Sequence, residues 1–155
     1  MDAVIVAAVV SLAVSLLTIA ADSYRQRRQL HAERLNELRD LYDQGGAAIT
    51  AALYAFDRRA VAVTEQGRSL TGEEFDKKVE SVEFMDARIA IRLGDEPEVG
   101  TYGEARERLE ELRKLIFEAG ERLTDEQKAR ADDLRKQVVQ LRGEYLEHAR
   151  RRLDE

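Results

Sequence analysis

The segment Ala3–Ala21 constrains this chain most, because it reads AVIVAAVVSLAVSLLTIAA and contains no charged residue, proline or glycine. Ten of its nineteen residues are valine, isoleucine or leucine. A helix of this length spans about 28 Å, close to the hydrocarbon thickness of a bilayer, and it satisfies its own backbone hydrogen bonds. The segment therefore predicts a transmembrane anchor over residues 1–22.

Two other interpretations of this segment stay open. A secretory signal peptide requires a basic n-region, which the two residues before Ala3 do not supply, although Thr18-Ile19-Ala20 fits a cleavage site. Cleavage there would give an exported soluble bundle that begins near Ala21 or Asp22. A buried helix of a soluble protein should show one polar face, and this segment shows none.

Basic residues follow the segment and none precede it, since Arg25, Arg27 and Arg28 come directly after it. The positive-inside rule then predicts a single-pass protein of the cell membrane, with its N-terminus outside and its C-terminal domain in the cytoplasm. Small residues recur at steps of four within the segment and predict a packing face between membrane helices; they are Ala3, Ala7, Ser11 and Ser15. Alternatively, such residues are simply common in membrane spans.

The composition restricts the remaining chemistry. The chain has 155 residues, no cysteine and a formal net charge of −6. The absence of cysteine excludes disulfides and thiolate metal sites. The acidic balance argues against a nucleic-acid partner, because nucleic-acid binders usually carry excess positive charge. Charged residues make up 36% of the chain and there is only one proline, which indicates helices.

Apolar residues at three-four spacing predict four helices after the anchor, at about 23–66, 71–93, 97–120 and 124–154. Thr71 with Glu74 and Thr124 with Gln127 form capping boxes, and Gly94 is expected to end the second of these helices. Asp95 and Glu98 also have capping-box spacing, and Thr101 with Glu104 offers a competing start.

Short connections between these helices predict an antiparallel up-down bundle with coiled-coil-like packing over residues 23–155, an all-α fold. Gly45-Gly46 is expected to be a kink or a site of close helix packing, with a functional hinge as the alternative. Some apolar residues lie off the main stripes and could form a groove for a partner or a second copy; they are Phe84, Ile91, Leu115, Phe117, Val139 and Leu146.

Two groups of arginines are predicted to meet near the membrane, because an up-down topology returns the C-terminus to the side where the anchor enters. They would form a basic collar facing anionic lipid; its members are Arg25, Arg27, Arg28, Arg150, Arg151 and Arg152. The alternative is that the C-terminal arginines only complement the helix dipole.

No catalytic, cofactor-binding or metal-binding residues are predicted. His31 and His148 lack the Glu-x-x-His spacing of di-iron bundles and are expected to be ordinary surface histidines. Carboxylates cluster at 73–83 and 104–111 beside lysine and arginine at helical spacing, so they predict solvated, ion-paired faces. The chain contains no phosphate-binding loop, nucleophile elbow or zinc signature, and we expect it not to be an enzyme.

The apolar span, the arginine-rich exit YRQRR at Tyr24–Arg28 and the helix break IRLGDEPEV at Ile91–Val99 support one resemblance. The chain resembles small, uncharacterised single-pass helical-bundle membrane proteins of GC-rich Gram-positive bacteria. The resemblance covers the general plan of the chain and implies no known activity.

The leading hypothesis is a non-enzymatic, membrane-anchored helical scaffold or adaptor that self-associates or docks a protein partner at the cytoplasmic face. Its expected partners are membrane lipid and either a second copy or another protein. The alternative is a small membrane-active effector, holin-like or defence-associated, that acts by oligomerisation of its span.

Overall fold

A computed structural model describes the backbone of residues 2–65, 72–119 and 123–154, and the side chains of residues 15–58, 73–119 and 123–154. Over these residues the protein is all-α, without a strand. The helices are α1 (Asp2–Glu65), α2 (Gly72–Leu93), α3 (Pro97–Ala119) and α4 (Asp125–Asp154). The chain divides into two compact units, Met1–Leu38 and Arg39–Glu155.

The predicted membrane span is not found. Within the described residues, no helix contains an 18-residue stretch that is apolar enough to cross a membrane. A membrane span needs about 20 largely apolar residues in one helix. The predicted localisation, a single-pass membrane protein with its N-terminus outside and a cytoplasmic C-terminal domain, is therefore wrong.

Two predicted helix boundaries are confirmed by their hydrogen bonds. The backbone N–H of Thr124 donates to Gln127 Oε1 over 2.9 Å, and the Gln127 N–H donates to Thr124 Oγ1 over 3.2 Å, which is a reciprocal capping box. Gly94 has φ of +68° and its N–H donates to the Ala90 carbonyl, so a residue without a Cβ ends α2. Thr71 of the other predicted capping box lies outside the described residues.

The helices of the second unit, which includes α1 from Arg39 onward, pack as a bundle, as predicted. In each pair of neighbouring helices, residues near the start of one helix contact residues near the end of the other. Neighbouring helices are therefore antiparallel. The contacts that fix these directions are Gln44–Arg88 and Phe56–Phe75 for α1 with α2, Asp86–Arg106 and Asp76–Arg113 for α2 with α3, Glu96–Arg152 and Glu111–Arg130 for α3 with α4, and Gly46–Arg142 and Asp57–Arg135 for α4 with α1.

The core is built from the inner stripe of each helix, as the three-four spacing predicts. Each helix buries apolar side chains at this spacing, because residues three and four apart share one helix face. Representative fully buried residues are Ile49, Ala52, Val79, Val82, Ile89, Leu109, Leu112 and Val138. Removing these surfaces from water is the main stabilising contribution to the bundle, at about 25 cal/mol per Å².

Replacing a buried leucine with alanine tests this core. Leu109 is fully buried, so Leu109→Ala should lower the free energy of unfolding by about 2–5 kcal/mol through lost burial and the cavity left behind. Leu30 is exposed, and Leu30→Ala is the matched control, with an expected change within about 0.5 kcal/mol. Urea unfolding followed by circular dichroism measures both; equal effects would contradict the described core.

Candidate functional site

The second unit encloses one carboxylate among its core side chains. Glu98 lies in the first turn of α3 and is only 3% exposed. The hydroxyl of Tyr42 on α1 lies 3.5 Å from Glu98 Oε1, at the long limit of a hydrogen bond, and the second oxygen, Oε2, has no hydrogen-bond partner among the described residues. Burying a carboxylate costs free energy unless it is hydrogen-bonded. A buried carboxylate with one unpaired oxygen is therefore unusual in a folded protein.

Tyr42 belongs to a group of three buried tyrosines from three helices; we call Glu98, Tyr42, Tyr102 and Tyr145 the tyrosine cluster. The Tyr145 ring lies between the other two, with centroid distances of 5.9 Å to Tyr42 and 5.0 Å to Tyr102 in edge-to-face geometry. Such edge-to-face pairs add to stability beyond the area they bury. The Tyr102 hydroxyl donates to the Gly45 carbonyl over 3.3 Å. The cluster therefore joins α1, α3 and α4.

Gly45 is required for the close approach of these helices. A Cβ built at this position would lie 2.5 Å from the Tyr145 hydroxyl oxygen and 3.1 Å from Ile89 Cδ1. At Gly46, a Cβ would lie 3.0 Å from Leu146 Cδ2, and the Gly46 carbonyl accepts a hydrogen bond from Thr50 Oγ1. This geometry supports close helix packing at Gly45-Gly46.

Burial raises the pKa of each tyrosine in the cluster. For Tyr42 the pKa rises to about 12, first because burial disfavours the phenolate and second because the negative charge of Glu98 opposes a second one. Burial is also the largest cause of the raised pKa of Tyr102 and of Tyr145. All three phenols therefore stay protonated at neutral pH, and they can donate hydrogen bonds but not act as bases.

A surface cleft of about 320 Å³ opens beside Glu98, where the start of α3 meets the end of α4. Its lining residues are Glu96, Pro97, Glu98, His148, Arg151 and Arg152. Arg152 pairs with Glu96 at 2.7 Å, and this hydrogen bond lowers the pKa of the Glu96 carboxyl. His148 is half-buried, with Nδ1 3.5 Å from Thr101 Oγ1.

Cofactor and metal chemistry gain no positive support from this arrangement. Among the described residues, no group of three or more histidines, cysteines, aspartates and glutamates is placed to hold a metal ion. The acidic clusters predicted to be ion-paired do contain such pairs, for example Lys77 with Glu73 at 2.8 Å and Arg113 with Glu110 at 3.3 Å. The arrangement can support docking or packing.

The structure places the six predicted collar arginines in both units. Arg25, Arg27 and Arg28 are exposed in the first unit, and the Arg28 guanidinium lies over the ring of Tyr24 at 5.5 Å. In the second unit Arg150 is exposed, whereas Arg151 and Arg152 form ion pairs with Glu147 and Glu96. The collar was predicted on the premise that the chain spans a membrane, and the described helices contradict that premise.

The remaining predicted residues are the small residues of the packing face and the histidine His31. Ser15 is exposed, whereas the side chains of Ala3, Ala7 and Ser11 lie outside the described residues, so the packing face stays a prediction. His31 is exposed, as an ordinary surface histidine would be.

Several apolar side chains predicted to lie off the core stripes are exposed. On α2, Phe84 is 65% exposed and Ile91 is 86% exposed, with the exposed Ala87 between them on the same helix face. A cleft of about 530 Å³ borders Phe84, and Ala48 of α1 contributes to its lining. Phe117 on α3 is 87% exposed, and Val139 on α4 is also exposed. Leu115 and Leu146 are half-buried.

Sequence reasoning missed the tyrosine cluster. Asp95 and Glu98 had suggested a capping box, but α3 begins at Pro97 and the Glu98 side chain is buried against Tyr42 instead. A signal was present, because Glu98 and Tyr102 continue the inner stripe of α3 toward its N-terminus. The full stripe is Glu98, Tyr102, Ala105, Leu109, Leu112 and Ile116.

Comparison of this chain with protein-family models, with curated proteins and with solved structures gives no match. The resemblance suggested by the sequence plan therefore stays a prediction.

Adding a methyl group at Gly45 tests the close packing. Gly45→Ala should lower the free energy of unfolding by about 1–3 kcal/mol, because the new Cβ meets the Tyr145 hydroxyl. Gly143→Ala is the matched control, since nothing lies within 4 Å of its Cβ and alanine favours a helix by about 1 kcal/mol. Denaturant unfolding should show a partial rescue of Gly45→Ala by Tyr145→Phe. Equal stability of the two alanine variants would contradict the described contact.

The tyrosine cluster also predicts a pH dependence at the alkaline end. A phenol with a raised folded-state pKa binds its proton more tightly when folded, so its contribution is complete below pH 10.0 and is lost as the pH rises toward about 12. Stability should therefore fall over this range by up to about 1.4 kcal/mol per pH unit for each such tyrosine. Urea unfolding at several pH values should show a shallower fall for Tyr42→Phe than for the unmodified protein. An unchanged slope would contradict the role assigned to Tyr42, and Tyr54→Phe, at an exposed position, is the matched control.

Proposed function

We propose that this protein is a non-enzymatic helical scaffold that self-associates through the exposed face of α2. The observation that carries the proposal is the exposure of Phe84 and Ile91 on one face of a helix whose opposite face is buried in the core. Large apolar side chains grouped on a surface are typical of interaction sites. We call Phe84, Ala87 and Ile91 the α2 face.

The charges beside the α2 face favour a second copy as its occupant. Glu80 and Arg88 are both exposed, and each lies four residues from Phe84. If two α2 helices pair antiparallel with Phe84 at the centre, Glu80 of each copy faces Arg88 of the other. A surface that is complementary to itself in this way is what a two-fold symmetric contact requires.

The tyrosine cluster supports a structural role over a catalytic one. Its phenols are protonated at neutral pH, and its carboxylate is only 3% exposed where it borders the cleft, so the cluster offers little reactive surface to a substrate. The membrane-active effector considered for this sequence depends on a membrane span, and we do not propose it because no described helix is apolar enough to form one.

Sedimentation velocity of the full-length protein tests the proposal. The unmodified protein should dimerise with rising concentration, and Phe84→Glu combined with Ile91→Glu should weaken the dimer at least about tenfold by placing charge on an apolar contact. Phe117→Glu, at an equally exposed phenylalanine on α3, is the matched control and should leave dimerisation unchanged. A monomer at all concentrations, or equal weakening by the control, would overturn the proposal.

A charge swap tests the antiparallel geometry separately. Glu80→Arg and Arg88→Glu should each weaken the dimer, because each places like charges opposite one another. The two substitutions together should restore it, since the pairs re-form with their signs exchanged. Failure of the double variant to recover would rule out this pairing of the two α2 helices.

A further inference from the structure

The first unit carries a helical stripe, formed by α1 residues at alternating four- and three-residue steps. We call Leu17, Ala21, Tyr24, Arg28 and His31 the α1 seam, and all five are exposed. Along the sequence the same spacing continues through the half-buried Leu35 and Leu38. This periodicity is that of a helix that packs against other helices in a coiled-coil manner.

Charge is segregated around the α1 seam. With the stripe at heptad positions a and d, Arg25, Arg27 and Arg34 take the flanking positions e and g, and Arg28 lies within the stripe. The acidic residues between Ser15 and Leu38 are Asp22, Glu33 and Glu37, and they take positions b, f and c on the other side of the helix. The face that contains the seam is therefore positively charged, although the whole chain carries a net charge of −6.

We propose that the α1 seam binds an acidic amphipathic helix of another protein. In two-stranded helical packing, residues next to the seam face their counterparts on the partner helix and determine which partner is accepted. Arginine at these positions is complementary to glutamate or aspartate. The Tyr24 ring, with the Arg28 guanidinium 5.5 Å from its centroid, provides a rigid apolar contact beside the charges.

A second copy of this chain is a poor occupant of the same seam. In a parallel pair, Arg28 would face its own counterpart, and in an antiparallel pair the flanking arginines would face arginines. Like charges placed opposite one another oppose association. The α1 seam thus selects a different protein, whereas the α2 face accepts a second copy, so the two surfaces are independent.

A lipid surface is also less well matched than a helix. Helices that lie on membranes bury a broad apolar face in the headgroup region. Between Tyr24 and Leu35 the seam instead has Arg28 and His31 at its centre. Polar residues at isolated seam positions are typical of helix pairs, where they specify register and partner.

Fluorescence anisotropy with the full-length protein tests this inference. The probe is a labelled synthetic helix with leucine at its seam positions and glutamate beside them, and the control probe carries lysine in place of glutamate. The protein should bind the acidic probe and not the basic one. Added salt should weaken binding, because exposed charge pairs are screened.

Charge-reversal variants distinguish binding at the α1 seam from non-specific attraction to the charge of the whole protein. Combining Arg25→Glu, Arg27→Glu and Arg34→Glu should weaken binding of the acidic probe at least about tenfold. Lys114→Glu, Lys136→Glu and Arg150→Glu, at exposed positions on α3 and α4, make the same change in net charge and should retain binding. Circular dichroism and the dimerisation measured above should be unchanged in both, so failure here is separable from failure of the scaffold proposal.

Three results would overturn the inference. They are no binding of the acidic probe by the unmodified protein, equal weakening in both triple variants, and binding to phosphatidylserine-containing vesicles without binding to the acidic probe. The last result would assign the seam to an anionic lipid surface.

Discussion

The tyrosine cluster is the interaction on which the rest of the bundle depends. Glu98 brings a carboxylate into the core, and among the described residues only the Tyr42 hydroxyl lies within hydrogen-bond distance of it, at 3.5 Å. Burying a carboxylate costs free energy unless polar groups compensate for the lost water, so the contact with Tyr42 favours the meeting of α1 and α3 at these residues. The absence of a side chain at Gly45 allows that meeting, because Tyr145 and Ile89 occupy the space that a Cβ would need.

Local signals predicted the elements well, because the residues that decide them are close together in the chain. Thr124 and Gln127 cap α4 through two hydrogen bonds across three residues, and Gly94 ends α2 through its own φ. The inner stripes predicted the core for the same reason, since three-four spacing is a property of one helix. The apolar segment predicted a membrane span from composition alone, and the helices as described do not bear it out.

The cluster itself depends on contacts between residues more than forty positions apart, and no local pattern encodes them. A glutamate in the first turn of a helix is ordinarily explained by the helix dipole. Its burial is decided by Tyr42 on α1, and sequence spacing gives no information about which residue of another helix lies opposite. The sequence predicted that Phe84 and Ile91, which lie off the core stripes, could form an exposed groove. Only the packing of α1 beside α2 shows which of the off-stripe residues stay exposed to solvent.

The buried carboxylate affects how readily the helices of the bundle can slide along one another. Helices with repeating apolar stripes can shift past one another by a heptad with little loss of apolar contact, which leaves their register poorly defined. Here a shift of α3 along α1 by one heptad would move Glu98 from Tyr42 to the level of Ile49, which offers no hydrogen bond. Such a state leaves the buried carboxylate without its hydrogen bond, at a cost of about 1–3 kcal/mol. The residue that looks least suited to the core thus favours one alignment of the bundle over its shifted alternatives.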